Sequence, residues 1–231
     1  MANLNRTLGS TLAAVISLAA APLAATATDL PTDGAVVVQG HIPGFIALGA
    51  GTIISETSTT IRVITANHVA TKGTLTIRLP DGSNAQARIV VQFPASDLAI
   101  IEAPISAAQA AIARPAQVAA PRSNEPVRIL GGSNAGPALE VASIAHVGQD
   151  LPDGPANGRY AVDCNTCHRG DSGGGVFDAN GDLVGVYVGY FEMDDKTRVS
   201  VAETLPAAAL KIALSNTSAT PAMVALSGTA P

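Results

Sequence analysis

Tryptophan is absent from this 231-residue chain, and three tyrosines and four phenylalanines are its only aromatic residues. A core without indole rings and with so few others has to be filled by Ala, Val, Ile and Leu. The same shortage excludes an aromatic-rich platform for stacking sugars or nucleobases. Charge is scarce as well: 13% of residues are Asp, Glu, Lys or Arg, with 13 basic against 18 acidic and a net charge of −5. There is no basic block, so the electrostatic footprint of a nucleic-acid binder is missing. The mild acidity is what solubility alone asks of a surface. Cysteine occurs only twice.

Long apolar runs are also few, and the first stands at the start. Arg6 is the only charge before Asp29, an Ala- and Leu-rich stretch follows from Leu12 to Leu23, and Ala25-Thr26-Ala27 supplies a small-x-small pattern. That order is an export signal, with residues 1–27 removed and a mature chain starting at Thr28. The stretch falls short of the ~20 residues a spanning helix needs, and Pro22 interrupts its end. No second run of spanning length follows, so the expectation is a periplasmic or secreted protein without a membrane partner once the signal is gone, in an oxidising compartment.

From Ala35 onward short β segments alternate with turns. Val36-Val37-Val38, Phe45-Ile46-Ala47-Leu48, Thr52-Ile53-Ile54, Ile61 to Thr65, Thr74 to Leu79, Ala87 to Val91 and Leu98 to Ile101 are separated by Gly, Pro, Asp and Ser. Strands at such spacing predict an all-β sandwich or barrel. Residues 103–122, rich in Ala and Pro, read as a connector. Strands resume at Val127 to Leu130, Leu139 to Ile144, Arg159 to Val162, Gly175 to Asp178 and Leu183 to Gly189. Asn180-Gly181 between apolar runs signals a hairpin. Residues 206–214 predict a short helix with Pro near its start, and 215–231 form a low-complexity tail. The letters show no internal repeat.

Three motifs carry chemistry. Thr65-Ala66-Asn67-His68 closes a strand, Ser96-Asp97-Leu98 opens another, and Gly170-Asp171-Ser172-Gly173-Gly174 lies between a loop and a strand. A serine hydroxyl is a poor nucleophile at neutral pH. It needs a base to take its proton, a carboxylate to orient that base, and donors for the developing oxyanion. Ser172 is that serine, with His68 as the base and Asp97 as the carboxylate. The glycines around Ser172 let successive N–H groups turn toward one point. Each motif alone has an ordinary explanation, as a structural histidine, a turn aspartate or a flexible loop. The three together, in this order in a strand-rich chain, point to catalysis.

These motifs resemble the chymotrypsin-like (trypsin-like) serine peptidases, and especially the bacterial high-temperature-requirement, or Deg-type, proteases. The resemblance runs from about Gly49 to Gly189 and includes Gly49-Ala-Gly-Thr-Ile-Ile-Ser, Ile64-Thr-Ala-Asn-His-Val, the run from Asp81-Gly82 to Asp97-Leu98-Ala99, and Gly170 through Gly185. It implies two perpendicular six-stranded Greek-key barrels, with a short C-terminal helix, over residues 28–214. It also implies a Ser-His-Asp triad in the cleft between the barrels and oxyanion-hole amides from Gly170 and Ser172. The implied partners are protein or peptide substrates, and the chemistry asks for no metal or cofactor. Deg-type proteases carry a PDZ domain after the peptidase, for which this chain is too short. Asp171 stands where those enzymes usually have Asn. In animal digestive relatives the equivalent aspartate pairs with a new N-terminal amine, and Val37-Val38-Gln39-Gly40 faintly resembles that terminus. Arg128, Arg159 or a processed N-terminus are the cations that could serve a buried Asp171.

Cys164-Asn165-Thr166-Cys167-His168 is open to several readings. C-x-x-C-H is the c-type haem attachment signature, but a haem there would occupy the space of a peptide substrate. A Cys164–Cys167 disulfide suits the compartment and would stiffen the loop. Two free or redox-active thiols, or a zinc site with His168, complete the choices. By the family pattern Thr166 lines the base of the specificity pocket and Val188 and Gly189 one wall, with Asp163 within reach if the loop is rearranged. A neutral base predicts small or medium apolar side chains before the cut.

Overall fold

The computed structural model describes residues 32–133, 136–147, 158–192 and 196–214. The leader at 1–27 and the tail at 215–231 lie outside them. β-Branched residues dominate the strands, as they do on pleated, half-buried surfaces. The first six strands are β1 (Ala35–Ile42), β2 (Phe45–Glu56), β3 (Thr60–Ala66), β4 (Thr74–Arg78), β5 (Asn84–Phe93) and β6 (Leu98–Pro104). They close into an antiparallel barrel in the order β1-β2-β3-β6-β5-β4. The second six are β7 (Pro126–Ser133), β8 (Gly136–Val147), β9 (Arg159–Asp163), β10 (Gly175–Phe177), β11 (Leu183–Glu192) and β12 (Arg198–Glu203). They close in the order β7-β8-β9-β12-β11-β10. Relative to its own first strand, each barrel has the same winding, so the chain contains a structural repeat that its letters do not show.

The barrels fill differently. Ile53, Ile61, Val63, Ile64, Ile77, Leu98, Ile100 and Ile101 pack the first, all essentially inaccessible to solvent. The second does not follow the aliphatic expectation: Tyr160 and Tyr187 sit in its interior beside Ile129, Ile144, Val162, Val176 and Val184. Tyr160 meets its need for a partner by donating to the Val184 carbonyl at 3.2 Å. Phe177, also fully buried, packs with Leu130, Leu183 and Val186 in the cluster that is continuous with the first barrel's core.

Pro104 ends β6, and the connector then forms a short helix, α2 (Ala107–Ala110; α1 is the turn Asn67–Ala70 after β3). Ser106 and Gln109 close a capping box at its start. Further along, the Ala116 amide donates to Ile53 O at 3.0 Å in the first barrel and Ala119 to Leu183 O at 3.0 Å in the second. The final helix, α3 (Ala207–Leu214), packs Ala209 and Ala213 into the shared core. The strand β12 falls where sequence reading placed none. Its ends, Arg198 and Glu203, are charged, and Glu203 is buried with an ion-pair partner that letters do not reveal.

Candidate active site

β3 and β6 are antiparallel neighbours, with Ala66 opposite Leu98. That pairing sets the residues just past one strand beside those just before the other. Accordingly the Asn67 amide donates to Asp97 O at 2.7 Å, the His68 amide donates to Asp97 Oδ1 at 2.9 Å, and His68 Nδ1 donates to Asp97 Oδ2 at 2.6 Å. His68 stands not on the strand itself but on α1, which begins where β3 ends. Asp97 adopts the left-handed conformation, φ 50° and ψ 37°, which Asp tolerates better than most residues. Two hydrogen bonds to one carboxylate hold both the histidine backbone and its ring. Gln92 adds a third tie by donating to Asn67 Oδ1 at 2.8 Å.

Ser172 reaches the same cleft from the second barrel. Its carbonyl accepts from the Ala50 amide at 2.8 Å, and the Gly173 amide donates to Tyr187 O at 2.7 Å. The approach is too close for a side chain at Gly173. A Cβ there would lie 2.2 Å from Ala50 O and 2.3 Å from Thr65 Oγ1, on a backbone with φ +91°. Gly170 is under the same constraint, with φ +107° and a would-be Cβ 2.5 Å from Gly132 O. Among the described residues neither the Gly170 nor the Ser172 amide has an acceptor. The serine hydroxyl donates to Val188 O at 3.3 Å, so in this structure its proton is directed away from His68.

Two cavities flank the serine. One of about 640 Å³ is bounded by Phe45, Ile46, Leu48, His68, Gly170 and Ser172, together with the cations Lys72 and Arg169. The other, of about 420 Å³, is bounded by Asp97, Arg159, Val188, Gly189, Tyr190 and Phe191. His68, Asp97, Ser172 and Gly170 are therefore brought together, and Val188 and Gly189 border the same cleft. Thr166 is exposed and borders neither cavity. Asp163 is exposed at the end of β9.

The cysteine loop resolves one of the open choices. Cys164 and Cys167 are joined by a disulfide, so neither sulfur is available to attach a haem or bind zinc. The partner of Asp171 is corrected too. Asp171 is fully buried, and His168 reaches it twice, through its amide at 2.7 Å and its Nδ1 at 2.7 Å, both to Oδ2. Arg159 is already paired with buried Glu203. Arg128 lies on β7 opposite Phe177. Val37 to Gly40 lie inside β1, paired on one side to β2 and on the other to β4, so they are not a terminal segment. Sequence reading missed His168 because its place after the second cysteine suggested a ligand role. The spacing of three residues to Asp171 was the available signal.

A family model described as a trypsin-like peptidase domain matches residues 49–186. Among curated proteins, a probable periplasmic serine endoprotease, DegP-like, of Brucella suis is 27% identical over 179 residues, covering 72% of this chain and 32% of the relative. A DegP-like relative from Bartonella henselae is 28% identical over 167 residues, with the same coverage. The chain thus spans about a third of the length of the curated relatives it matches. Among solved structures, the HtrA-type protease AlgW with a tripeptide aligns at a TM-score of 0.63 and 19% identity, covering 80% of this chain and 58% of that one. The active form of the Rv3671c protease from M. tuberculosis aligns at a TM-score of 0.62 and 23% identity, covering 93% and 96%. At those identities the structures speak for the fold, a pair of six-stranded barrels of the chymotrypsin-like kind. The family model, which spans more than half of the chain and both the histidine and serine motifs, decides membership: this chain belongs to the trypsin-like peptidase domain family.

Proposed function

We propose that this protein is an exported serine endopeptidase that cleaves peptide bonds through an acyl-enzyme, with Ser172 as nucleophile, His68 as general base and Asp97 as its orienting carboxylate. The observation that carries the reading is the 2.6 Å bond between His68 Nδ1 and Asp97 Oδ2, with Ser172 bordering the same cleft as that histidine. With Nδ1–H committed to Asp97, neutral His68 presents Nε2 as an acceptor. Turning the Ser172 hydroxyl from Val188 O toward that nitrogen gives the base its proton. Such bonds are often loose or misdirected before substrate binds.

Attack on the scissile carbonyl forms the Ser172 Oγ–carbon bond and a tetrahedral oxyanion, while His68 holds the proton. The unpaired amides of Gly170 and Ser172 are the donors for that oxyanion. His68 then delivers its proton to the leaving amine as the carbon–nitrogen bond breaks. Water, deprotonated by the same histidine, hydrolyses the acyl-enzyme and returns the proton to Ser172. Asp97 stabilises the imidazolium at both stages.

The cleft beside Val188 and Gly189 favours a small or medium apolar side chain before the cut. Strong cleavage after Lys or Arg in a peptide library would overturn that specificity. The export signal at residues 1–27 and the periplasmic names of the curated relatives support a periplasmic or secreted location, and no helix among the described residues is long and apolar enough to cross a membrane.

The alternative is a non-catalytic peptide-binding relative. It is favoured by one observation, the Ser172 hydroxyl bonded to Val188 O instead of His68. Hydrolysis of an unfolded protein substrate by the mature chain, lost in Ser172→Ala and in His68→Ala, supports the enzyme. Peptide binding without turnover in the unaltered chain supports the alternative.

A further inference from the structure

The aspartate before Ser172 is buried, and among the described residues the whole of its side-chain hydrogen bonding comes from one residue. Asp171 has no exposed surface, and its Oδ1 finds no hydrogen-bond partner among the described residues. Its Oδ2 takes both the amide and the ring Nδ1–H of His168, each at 2.7 Å. A buried carboxylate needs such compensation, and here it arrives from only three residues upstream. The backbone around it is closed by two further bonds: Asp171 N to His168 O at 3.3 Å and Gly174 N to Asp171 O at 2.9 Å. The peptide planes between them carry the Gly170 and Ser172 amides. Both amides thus belong to the two turns that the Asp171 backbone closes. The Cys164–Cys167 disulfide closes the loop that leads into His168, so the anchor has a stiff support on its upstream side.

We propose that His168 is a positioning residue for catalysis: by holding Asp171 from within the same loop, it keeps the Gly170 and Ser172 amides aimed at the oxyanion. This rests on the serine peptidase reading above, and it replaces with a side chain the cation that the animal digestive relatives take from a processed N-terminus. His168 does not touch the substrate cleft, since it borders neither cavity beside Ser172.

The charged surroundings agree. Glu140 on β8 lies 3.8 Å from the same ring nitrogen. The hydrogen bond and charge of Asp171, with a smaller contribution from Glu140, raise the His168 imidazole above its ordinary value. Tyr187 on β11 feels the same carboxylate, burial first and then Asp171 raising its phenol. The adjacent Arg169 is exposed. A raised histidine contributes fully below the ordinary value of about 6.5. That contribution is lost as pH rises through the raised value. The anchor should therefore weaken on the alkaline side.

The test compares the unaltered mature chain with His168→Ala and His168→Gln, using peptide hydrolysis across pH and hydrogen exchange at the Gly173 and Gly174 amides. In His168→Ala, kcat should fall by ~10²–10³, the loss typical of a spoiled oxyanion donor, with KM changed by only a few fold. The Gly174 amide should exchange much faster while the amides of β3 and β6 keep their protection. Gln retains a side-chain donor, so it should recover part of kcat and abolish the alkaline decline, because it does not titrate. A kcat within threefold of the unaltered chain, with unchanged exchange at Gly174, would overturn the proposal. If His168→Ala does not fold, the Gln variant decides: a persisting alkaline decline counts against the anchor and its loss counts for it. If the unaltered chain hydrolyses nothing, the peptidase reading fails. The exchange arm then judges the anchor alone, with faster exchange in the variant supporting it and no change refuting it.

Discussion

Replacing Asp97 by Asn alters one atom of the side chain and separates its electrostatic role from its structural one. Asn, like Asp, tolerates the left-handed backbone at this position, where φ is 50° and ψ 37°. Its carbonyl oxygen can still accept the His68 amide, now 2.9 Å from Oδ1. The other contact cannot survive unchanged. At Oδ2, 2.6 Å from His68 Nδ1, the variant presents an NH₂ group, which donates and so favours the tautomer with its proton on Nε2. That proton then faces Ser172, and the base is lost. In a Ser-His-Asp triad this change costs ~10⁴ in kcat, equivalent to about 5.5 kcal/mol of barrier. The fold should hardly notice. The Asp97 side chain is about a third exposed and the His68 side chain nearly half, so the stability change should be no more than about 1 kcal/mol. The assay is steady-state hydrolysis of a peptide substrate beside a thermal melt of the same preparation. Activity within tenfold of the unaltered chain would refute the reasoning. So would a loss of activity matched by a collapse of the melt, since Asp97 would then be structural.

Other consequences follow from the packing. Gly173→Ala sets a methyl against Ala50 O and Thr65 Oγ1 at 2.2 and 2.3 Å, and overpacking on a strained φ should cost ~2–4 kcal/mol. A calorimetric melt should show this as a fall of roughly 4–16 °C for a domain of this size. Arg159→Met strips buried Glu203 of its partner and should cost ~3–5 kcal/mol near neutral pH. Burial already raises the Glu203 carboxyl, against the pull of Arg159. The folded state therefore prefers the proton, stability declines as pH rises from 4.5 through the raised value, and urea melts of the variant should recover toward pH 5. Glu102 is the opposite case. The hydrogen bond from Arg62, joined by Arg88, holds its carboxyl low, so its contribution is present above the ordinary carboxylate value and lost as pH falls through the lowered one. Both arginines are exposed, 41% and 71%. Glu102→Gln should thus change the unfolding free energy from urea melts at pH 7 by no more than about 1 kcal/mol.

The first barrel was legible because its strands alternate or run apolar between unmistakable turns, as in Ile61 to Thr65 and Leu98 to Ile101. The second was read one strand short. β12 has charged residues at both ends, and what pairs with buried Glu203 is Arg159, 44 residues away in the chain. The same distance hid the role of Tyr160 and Tyr187, whose burial depends on a barrel closing around them. In the site, His68 and Asp97 could be placed together from their motifs because strand pairing does the rest. The partner of Asp171 could not, because a contact three residues away depends on the path of an irregular loop. Periodicity carries no information there. Thr166 is the complementary case: the family pattern puts it at the base of the pocket, yet in the disulfide-closed loop it is exposed.

The central claim is that Ser172 is an activated nucleophile, and reaction of the mature protein with a fluorophosphonate probe at mildly alkaline pH tests it most directly, with the modified residue located by mass spectrometry. The account predicts one adduct, on Ser172, absent from Ser172→Ala and strongly slowed in His68→Ala. A folded protein that stays unlabelled, or one labelled equally well without Ser172, would contradict it.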